Sequence, residues 1–325
     1  MKTPALLRRL ALAASALVLL QSGAAHAAER VRLAINLAPV SALTLIAQQK
    51  GLFTKNGLDV SIANFSSGRQ ALETVLGGGA DVATAAESPV TAATFANQKV
   101  ALLSRIEYSQ LKTLVAFPGY KKPSDLKGKK LGYAAGTGSE VYTAELLKRI
   151  GLTKSDVTLV ALRPQDMAAA LASGGVDAYS IWEPHIANGR KALGDKAQLI
   201  DLENVYAETM NIVVTEDYAR KNPKVSAALL KSLIEAEQWL KANPTDAVTL
   251  VAGAVGMKKE ELAEIWDDYV FEVVLDKRTS DTLRNHAQWR IDSGNAAGGA
   301  TAVPDFGKVI FTAPLKEIAP DRVRL

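Results

Sequence analysis

LGYAAGTGSEVYTAELLKRIGL, residues Leu131–Leu152, is the stretch whose reading decides the fold. An apolar run follows the charged lead-in Lys127-Gly128-Lys129-Lys130. A Gly-Thr-Gly-Ser loop comes next, and Val141, Ala144, Leu147 and Ile150 then recur at helical spacing up to Gly151. Strand, small-residue loop, helix and glycine stop make the half-unit of a parallel α/β layer. A helix entered from such a loop leaves backbone N–H groups without intrahelical acceptors, and with the positive end of the helix dipole they attract an anion. A structural reading stands beside this one. Thr137-x-x-Glu140 is a capping box, in which Glu140 folds back onto one of those donors.

Outward from this unit, the same order occurs earlier in the chain. Val31–Ile35 reads as a strand, and Asn36-Leu37-Ala38-Pro39 as a loop entering a helix that ends at Gly51-Leu52. A strand over Asp59–Ala63 leads through Ser66-Ser67-Gly68-Arg69 into a second helix, with Ser67-x-x-Gln70 as its capping box. Asp81–Ala85 is a third strand, and Ser88-Pro89 opens a third helix. At an offset of 96 residues, Gly78, Gly79, Asp81 and Glu87 fall on Gly174, Gly175, Asp177 and Glu183. Two tandem copies of a βαβ pattern imply two Rossmann-like α/β lobes, each around a mostly parallel sheet with right-handed crossovers. Leu102–Phe117 and Met210–Thr215 are the expected crossings between lobes. The first lobe is then 28–108 with 211–325, the second 109–210, and a cleft lies between them. Beyond Asn211–Val214, helices are expected over Pro223–Ala242, Pro244–Ala254, Lys258–Tyr269 and Asp281–Ser293.

Residues 1–27 read as a secretory leader: Lys2, Arg8 and Arg9, an apolar core over Leu10–Leu20, and the small-x-small site Ala25-His26-Ala27. Removing the leader leaves 35 basic residues against 34 acidic ones, a net +1 that gives no support for nucleic acid or membrane binding. The chain has no cysteine, which excludes disulfides, thiol chemistry and a lipobox anchor. An unanchored monomer of a Gram-negative periplasm is the expectation.

In open parallel sheets, ligands sit beyond the carboxyl ends of the strands. The loops there are Asn36–Ser41, Ser66–Arg69 and Glu87-Ser88 in one lobe, with Gly136–Glu140, Arg163–Gln165 and Trp182-Glu183 in the other. Their hydroxyls, backbone donors, two arginines, carboxylates and tryptophan suit a small polar or anionic molecule with an apolar part. Catalysis fits poorly. His185 and His286 have no metal-ligand spacing, and no HExxH, GxSxG or Walker motif occurs. No cofactor or metal is expected.

Taken together, GLFTKNGLDV (Gly51–Val60), FSSG (Phe65–Gly68), GGADVATAAESP (Gly78–Pro89), DLKGKKLGYAAGTGS (Asp125–Ser139) and GGVDAYSIWEPH (Gly174–His185) resemble the periplasmic substrate-binding proteins of ABC importers. Within these, the chain is similar to the aliphatic sulfonate, taurine and nitrate branch, which also holds thiamine-pyrimidine synthases and precursor binders. The likeness covers most of residues 30–220 and runs on, more weakly, into TEDYARKNPKV (Thr215–Val225). The resemblance implies a type II periplasmic-binding-protein fold closing on one ligand, which passes to a permease and its ATPase. It also implies that Ser66–Gly68 and Thr137–Ser139 hold an anionic head group. The chain departs from sulfonate binders at Asn36-Leu37-Ala38-Pro39, where a glutamine and proline are frequent, and at Arg69, where a proline often follows. It lacks the clustered cysteines of the pyrimidine-synthesising enzymes.

The candidate ligand-binding residues are therefore Asn36, Ser41, Ser66, Ser67, Gly68, Arg69, Glu87, Ser88, Thr137, Gly138, Ser139, Arg163, Trp182 and Glu183. Glu87 bears most on ligand identity. Facing the cleft it favours an amine-bearing ligand such as taurine; otherwise it serves a helix start or a hinge ion pair with Arg105. Glu183 recurs at the repeated position and so suggests a shared structural role. Trp182 either stacks on an apolar tail or closes a lobe core, and Arg69 and Arg163 are either ligand contacts or surface residues. The expected function is capture of an aliphatic sulfonate or taurine-like organosulfonate. The alternatives are a thiamine-pyrimidine synthase-like enzyme or precursor binder, and a sensory ligand-binding subunit.

Overall fold

A computed structural model describes residues 28–200, 202 and 205–325. The expected leader, residues 1–27, lies outside the described residues. Two sheets organise the rest. The strands are β1 (Glu29–Asn36), β2 (Leu58–Phe65), β3 (Val82–Ala86), β4 (Val100–Gln110), β5 (Lys112–Val115), β6 (Lys130–Tyr133), β7 (Thr158–Ala161), β8 (Ala178–Ile181), β9 (Gln198–Ile200), β10 (Ala207–Thr215), β11 (Val270–Asp276) and β12 (Val323–Arg324). The larger sheet runs β12-β11-β4-β10-β3-β1-β2 and the smaller β7-β6-β8-β5-β9.

The repeat seen in the sequence is a repeat of topology. β1 pairs in parallel with β2 and β3, and β6 in parallel with β7 and β8. An antiparallel strand, β10 or β5, then lies against β3 or β8. The repeated aspartates share one task. The Asp81 carboxylate accepts the Arg32 N–H at 2.8 Å while its own N–H donates to the Arg32 carbonyl at 2.8 Å. Asp177 makes the same pair of bonds with the backbone of Lys130, both at 2.8 Å. Each therefore pins the first strand of its parallel unit, β1 or β6, to the strand that follows a tight glycine turn.

The helices are α1 (Ala42–Gln49), α2 (Leu52–Lys55), α3 (Gly68–Leu76), α4 (Glu87–Phe95), α5 (Gly138–Arg149), α6 (Met167–Ala172), α7 (His185–Leu193), α8 (Glu216–Lys221), α9 (Pro223–Ala242), α10 (Pro244–Val255), α11 (Lys259–Glu264), α12 (Lys277–Asp292) and α13 (Ala313–Ile318). Gly68 lets α3 lie directly on β3: a β-carbon there would stand 3.0 Å from Ala85 Cα and 3.1 Å from the Thr84 carbonyl. β3 itself is alanine-rich and wholly buried, paired with β1 on one side and β10 on the other.

Two expectations for the C-terminal part are corrected. The single helix expected over Lys258–Tyr269 is the short α11 followed by a 3-10 turn at Trp266–Asp268, and β11 then joins the large sheet antiparallel to β4. The helix expected from Asp281 begins at Lys277, because Asp276 caps it by accepting the Thr279 N–H at 3.0 Å. β10 enters the large sheet at Ala207, a few residues ahead of the boundary at 211 read from the sequence. Among the described residues, no helix is long and apolar enough to cross a membrane.

Candidate functional site

The two lobes meet. Arg69, on the first turn of α3, donates through Nη1 to the Ala135 carbonyl of the second lobe at 3.1 Å. Asn295, just beyond α12, donates through Nδ2 to Glu140 Oε1 at 3.3 Å. The Gly138 N–H, at the start of α5, donates to the carboxylate of Glu208 on β10. A β-carbon at position 138 would overlap that carboxylate. The cleft is therefore closed, and its loops face one another.

At the α5 start, the anion and capping readings have both left a mark. The Gly136 N–H donates to Glu140 Oε2 at 2.8 Å, so Glu140 does fold back, one residue earlier than a standard capping box. Thr137 Oγ1 accepts the Ser139 N–H at 3.2 Å, and Ser139 Oγ bridges the Ala134 N–H and the Ser180 carbonyl. The acceptor at the Gly138 N–H is a carboxyl group of the protein itself. On the α3 side, Ser67 Oγ caps by accepting the Gln70 N–H at 3.3 Å, and Ser66 Oγ donates to the Gln70 side chain. Ser41 Oγ and the Asn36 N–H both meet Thr84 Oγ1, which ties the β1 loop to β3.

The centre of the site is acidic. Glu87 is fully buried, Glu107 is 1% exposed and Glu208 is 6% exposed. Glu87 Oε2 accepts the Thr209 N–H at 2.8 Å and the Thr209 hydroxyl at 2.7 Å, while Oε1 has no partner. Burial raises the Glu87 pKa from 4.5 to about 7 against the pull of the Thr209 bonds. Burial likewise pushes Glu107 well up, opposed by the Ser109 hydroxyl and the Arg105 charge. Glu208 is pushed well up by burial and then by the negative charges of Glu87 and Glu107. Three carboxyls in one dry place cannot all ionise together.

Some of the buried polar atoms without a protein partner bear on the ligand, and they are of two chemical kinds. Glu87 Oε1, Glu107 Oε1, Asn36 Oδ1 and Asn211 Oδ1 are acceptors, whereas Ser88 Oγ, Trp182 Nε1 and Tyr206 Oη can donate. Buried groups in this condition cost about 1–3 kcal/mol each, so a ligand that offers both signs satisfies what the closed protein does not.

Arg163 and Glu183 do local work instead. Arg163 is tied to Asp166 by Nε at 2.6 Å on the surface. Glu183 Oε2 accepts the Ala187 N–H at 2.8 Å and caps its own helix, so it does not share the role of Glu87 despite the repeat. Trp182 is 6% exposed and meets the His185 ring edge-on at 6.1 Å. Of the two structural alternatives for Glu87, it does stand in the first turn of α4, and the hinge pair with Arg105 does not form. Arg105 pairs instead with Asp276 at 2.8 Å and Glu272 at 3.4 Å, because β11, unforeseen in the sequence, brings those carboxylates to it. His286 is structural: its Nδ1 meets Thr91 Oγ1 at 2.6 Å inside the first lobe.

Sequence reasoning missed Glu107, Glu208, Thr209 and Asn211. All four lie on β4 and β10, where Met210 stands opposite Glu107. The available signal was the presence of acidic and amide residues inside otherwise apolar strands.

A profile of the family described as "NMT1/THI5 like" matches residues 38–247. A curated relative, the taurine-binding periplasmic protein of Escherichia coli (strain K12), is 30% identical over 207 residues, covering 61% of this chain and 63% of that protein. Among solved structures, the alkanesulfonate-binding protein SsuA from Xanthomonas axonopodis pv. citri bound to MOPS superposes with a TM-score of 0.77 at 21% identity, over 87% of this chain and 98% of that one. The periplasmic aliphatic sulphonate binding protein SsuA from Escherichia coli gives 0.71 at 21% identity, over 88% and 92%. These two structures share the fold of this chain, the two-sheet periplasmic binding protein fold.

Proposed function

The chain belongs to the NMT1/THI5-like family, and on that premise we propose that it is the solute-binding subunit of an ABC importer whose ligand is a small organosulfonate carrying an amine, of the taurine kind. The observation that carries the reading is Glu87 Oε1, fully buried and free, on a carboxyl whose other oxygen is held in place by Thr209. An ammonium there gains a preoriented acceptor and draws the carboxyl into its charged form. Glu107 supplies a second free oxygen. Ser88 Oγ, Trp182 Nε1 and Tyr206 Oη are the donors proposed for the sulfonate oxygens. A plain alkanesulfonate would leave the carboxyls unanswered.

Binding proceeds by closure. The open lobes admit the ligand, and the contacts of Arg69 with Ala135 and of Asn295 with Glu140 hold the closed form that a permease recognises. A second reading, a pyrimidine-precursor binder, gains from one observation: the Gly138 N–H is already occupied by Glu208, which suits a ligand rich in N–H donors and without an anionic head.

A thermal-unfolding screen of protein that has been unfolded and refolded to remove carried-over ligand separates the readings. Ligand at a hundred times its dissociation constant adds about 2.7 kcal/mol, enough to move the midpoint by several degrees. The proposal expects a shift with taurine and none with ethanesulfonate or nitrate. A shift with an aminopyrimidine alone favours the second reading, and a shift with ethanesulfonate equal to that with taurine overturns the role given to Glu87.

A further inference from the structure

A cavity of about 310 Å³ lies in the groove between α3 and α4, apart from the carboxyl cluster. Leu72 and Leu76 sit one turn apart on α3 and line it with Pro89 and Ala92 on α4, and the polar side chains of Glu73 and Gln98 complete the lining. The α4 residues are small, which is why two packed helices leave room between them. The mouth is basic and belongs to both lobes, with Arg69 from α3, Arg290 from α12 and Gly136 from the loop before α5.

Arg290 is only 9% exposed. Its Nη1 and Nη2 reach the carbonyls of Asn295 and Ser88 at 3.3 Å each, and its Nε has no partner. Arg69 gives Nε to Glu73 at 2.8 Å and Nη1 to Ala135 at 3.1 Å. Burial weighs most against the Arg290 charge, Glu140 favours it, and the like charge of Arg69 opposes it further. Yet the Glu140 oxygens are already engaged by the Gly136 N–H and Asn295. A buried guanidinium with two long bonds, an unanswered Nε and a second guanidinium nearby is an incomplete anion clamp.

We propose that this groove is a second binding site, for a small organic anion with a short alkyl tail, a sulfonate or a carboxylate. The head group lies between Arg69 and Arg290, and the tail lies along Leu72, Leu76 and Ala92. Gly136 belongs to the second lobe, so the site is complete only in the closed form. An anion bound there favours closure and, by linkage, tightens whatever the central cleft holds.

The test uses 1-butanesulfonate as the probe, by thermal unfolding and by calorimetric titration of taurine with and without it. The variants are Ala92→Phe, which fills the groove, and Arg290→Gln. The expected result is a rise in the wild-type midpoint with butanesulfonate and a taurine dissociation constant lowered about fivefold or more in its presence. Ala92→Phe then loses the butanesulfonate effects and keeps taurine binding. Because Arg290 also braces Ser88 and Asn295, loss of both ligands in Arg290→Gln is read only alongside Ala92→Phe. Competition between butanesulfonate and taurine, an undiminished shift in Ala92→Phe, or no wild-type shift overturns the proposal. Should taurine fail to bind at all, the comparison of wild type with Ala92→Phe still reads the groove, so the two readings fail separately.

Discussion

Glu87→Gln is the perturbation that follows most directly from the geometry. The amide oxygen can still accept the Thr209 N–H and hydroxyl that now meet Oε2 at 2.8 and 2.7 Å, so the shape of the site is kept and only the ionisable proton is removed. In the folded protein the Glu87 pKa stands at about 7 against an ordinary 4.5. Between those values the native state holds a proton that the unfolded chain has lost, so stability falls as pH rises from 4.5 to 7 and stays at the lower level above. A shift from 4.5 to about 7 corresponds to roughly 3 kcal/mol at pH 8. His185 and His286, lowered by burial to about 4 and about 3, push the other way: their contribution is present above 6.5 and is lost as pH falls toward those values. The difference between variant and wild type cancels the histidines. Urea unfolding of ligand-free protein, followed by tryptophan fluorescence at pH 4.5, 6, 7 and 8, should show Glu87→Gln gaining on wild type by roughly 3 kcal/mol across the series. A difference that does not change with pH would refute the claim that Glu87 is buried and protonated in the closed cleft.

Further outcomes follow from the same contacts. Taurine should bind more tightly as pH rises from 6 to 8, since its ammonium needs the ionised form of a carboxyl that titrates near about 7; titration calorimetry at three pH values reads this, and a flat profile contradicts it. Gly138→Ala places a methyl group against the Glu208 carboxylate, so the lobes should open, with a larger radius of gyration in small-angle scattering and little loss of unfolding stability. Gly68→Ala meets the backbone of Thr84 and Ala85, which cannot yield as a side chain can, and should cost about 1–3 kcal/mol in urea unfolding. Ser67→Ala removes the α3 cap and should cost about 1 kcal/mol by the same assay.

What the sequence made legible was local or repeated. The turn-helix-turn punctuation around Leu131–Leu152 and the paired Asp81 and Asp177 both depend on neighbours a few residues away or on a second copy of the same pattern, and so the two-lobed architecture could be read without coordinates. β7 runs over the expected Thr158–Ala161 and α9 over the expected Pro223–Ala242. The acidic centre was not legible, because it depends on which residues of two strands a hundred positions apart come into register. Glu107 and Glu208 look like scattered charges until β4 and β10 pair. β11 was lost for a related reason: a short strand whose partner is distant in sequence gives way to the helical pattern just before it. With β11 unseen, a hinge pair of Arg105 with Glu87 stayed open as an alternative, since the partners of Arg105 lie on β11 and at the α12 cap. The recurrence of glutamate at 87 and 183 misled in the opposite way. Sequence symmetry survives where both copies stand at a helix start, but only in the first copy is the carboxyl held by β10, through Thr209; Glu183 turns instead to the Ala187 N–H.

The most direct test of the account is a crystal structure of ligand-stripped protein co-crystallised with taurine. One taurine should lie between the lobes, its nitrogen within hydrogen-bond reach of Glu87 Oε1 and its sulfonate on Ser88, Trp182 or Tyr206. A taurine whose amine points to solvent, or whose sulfonate displaces Glu208 from the Gly138 N–H while the amine leaves Glu87 untouched, would contradict it.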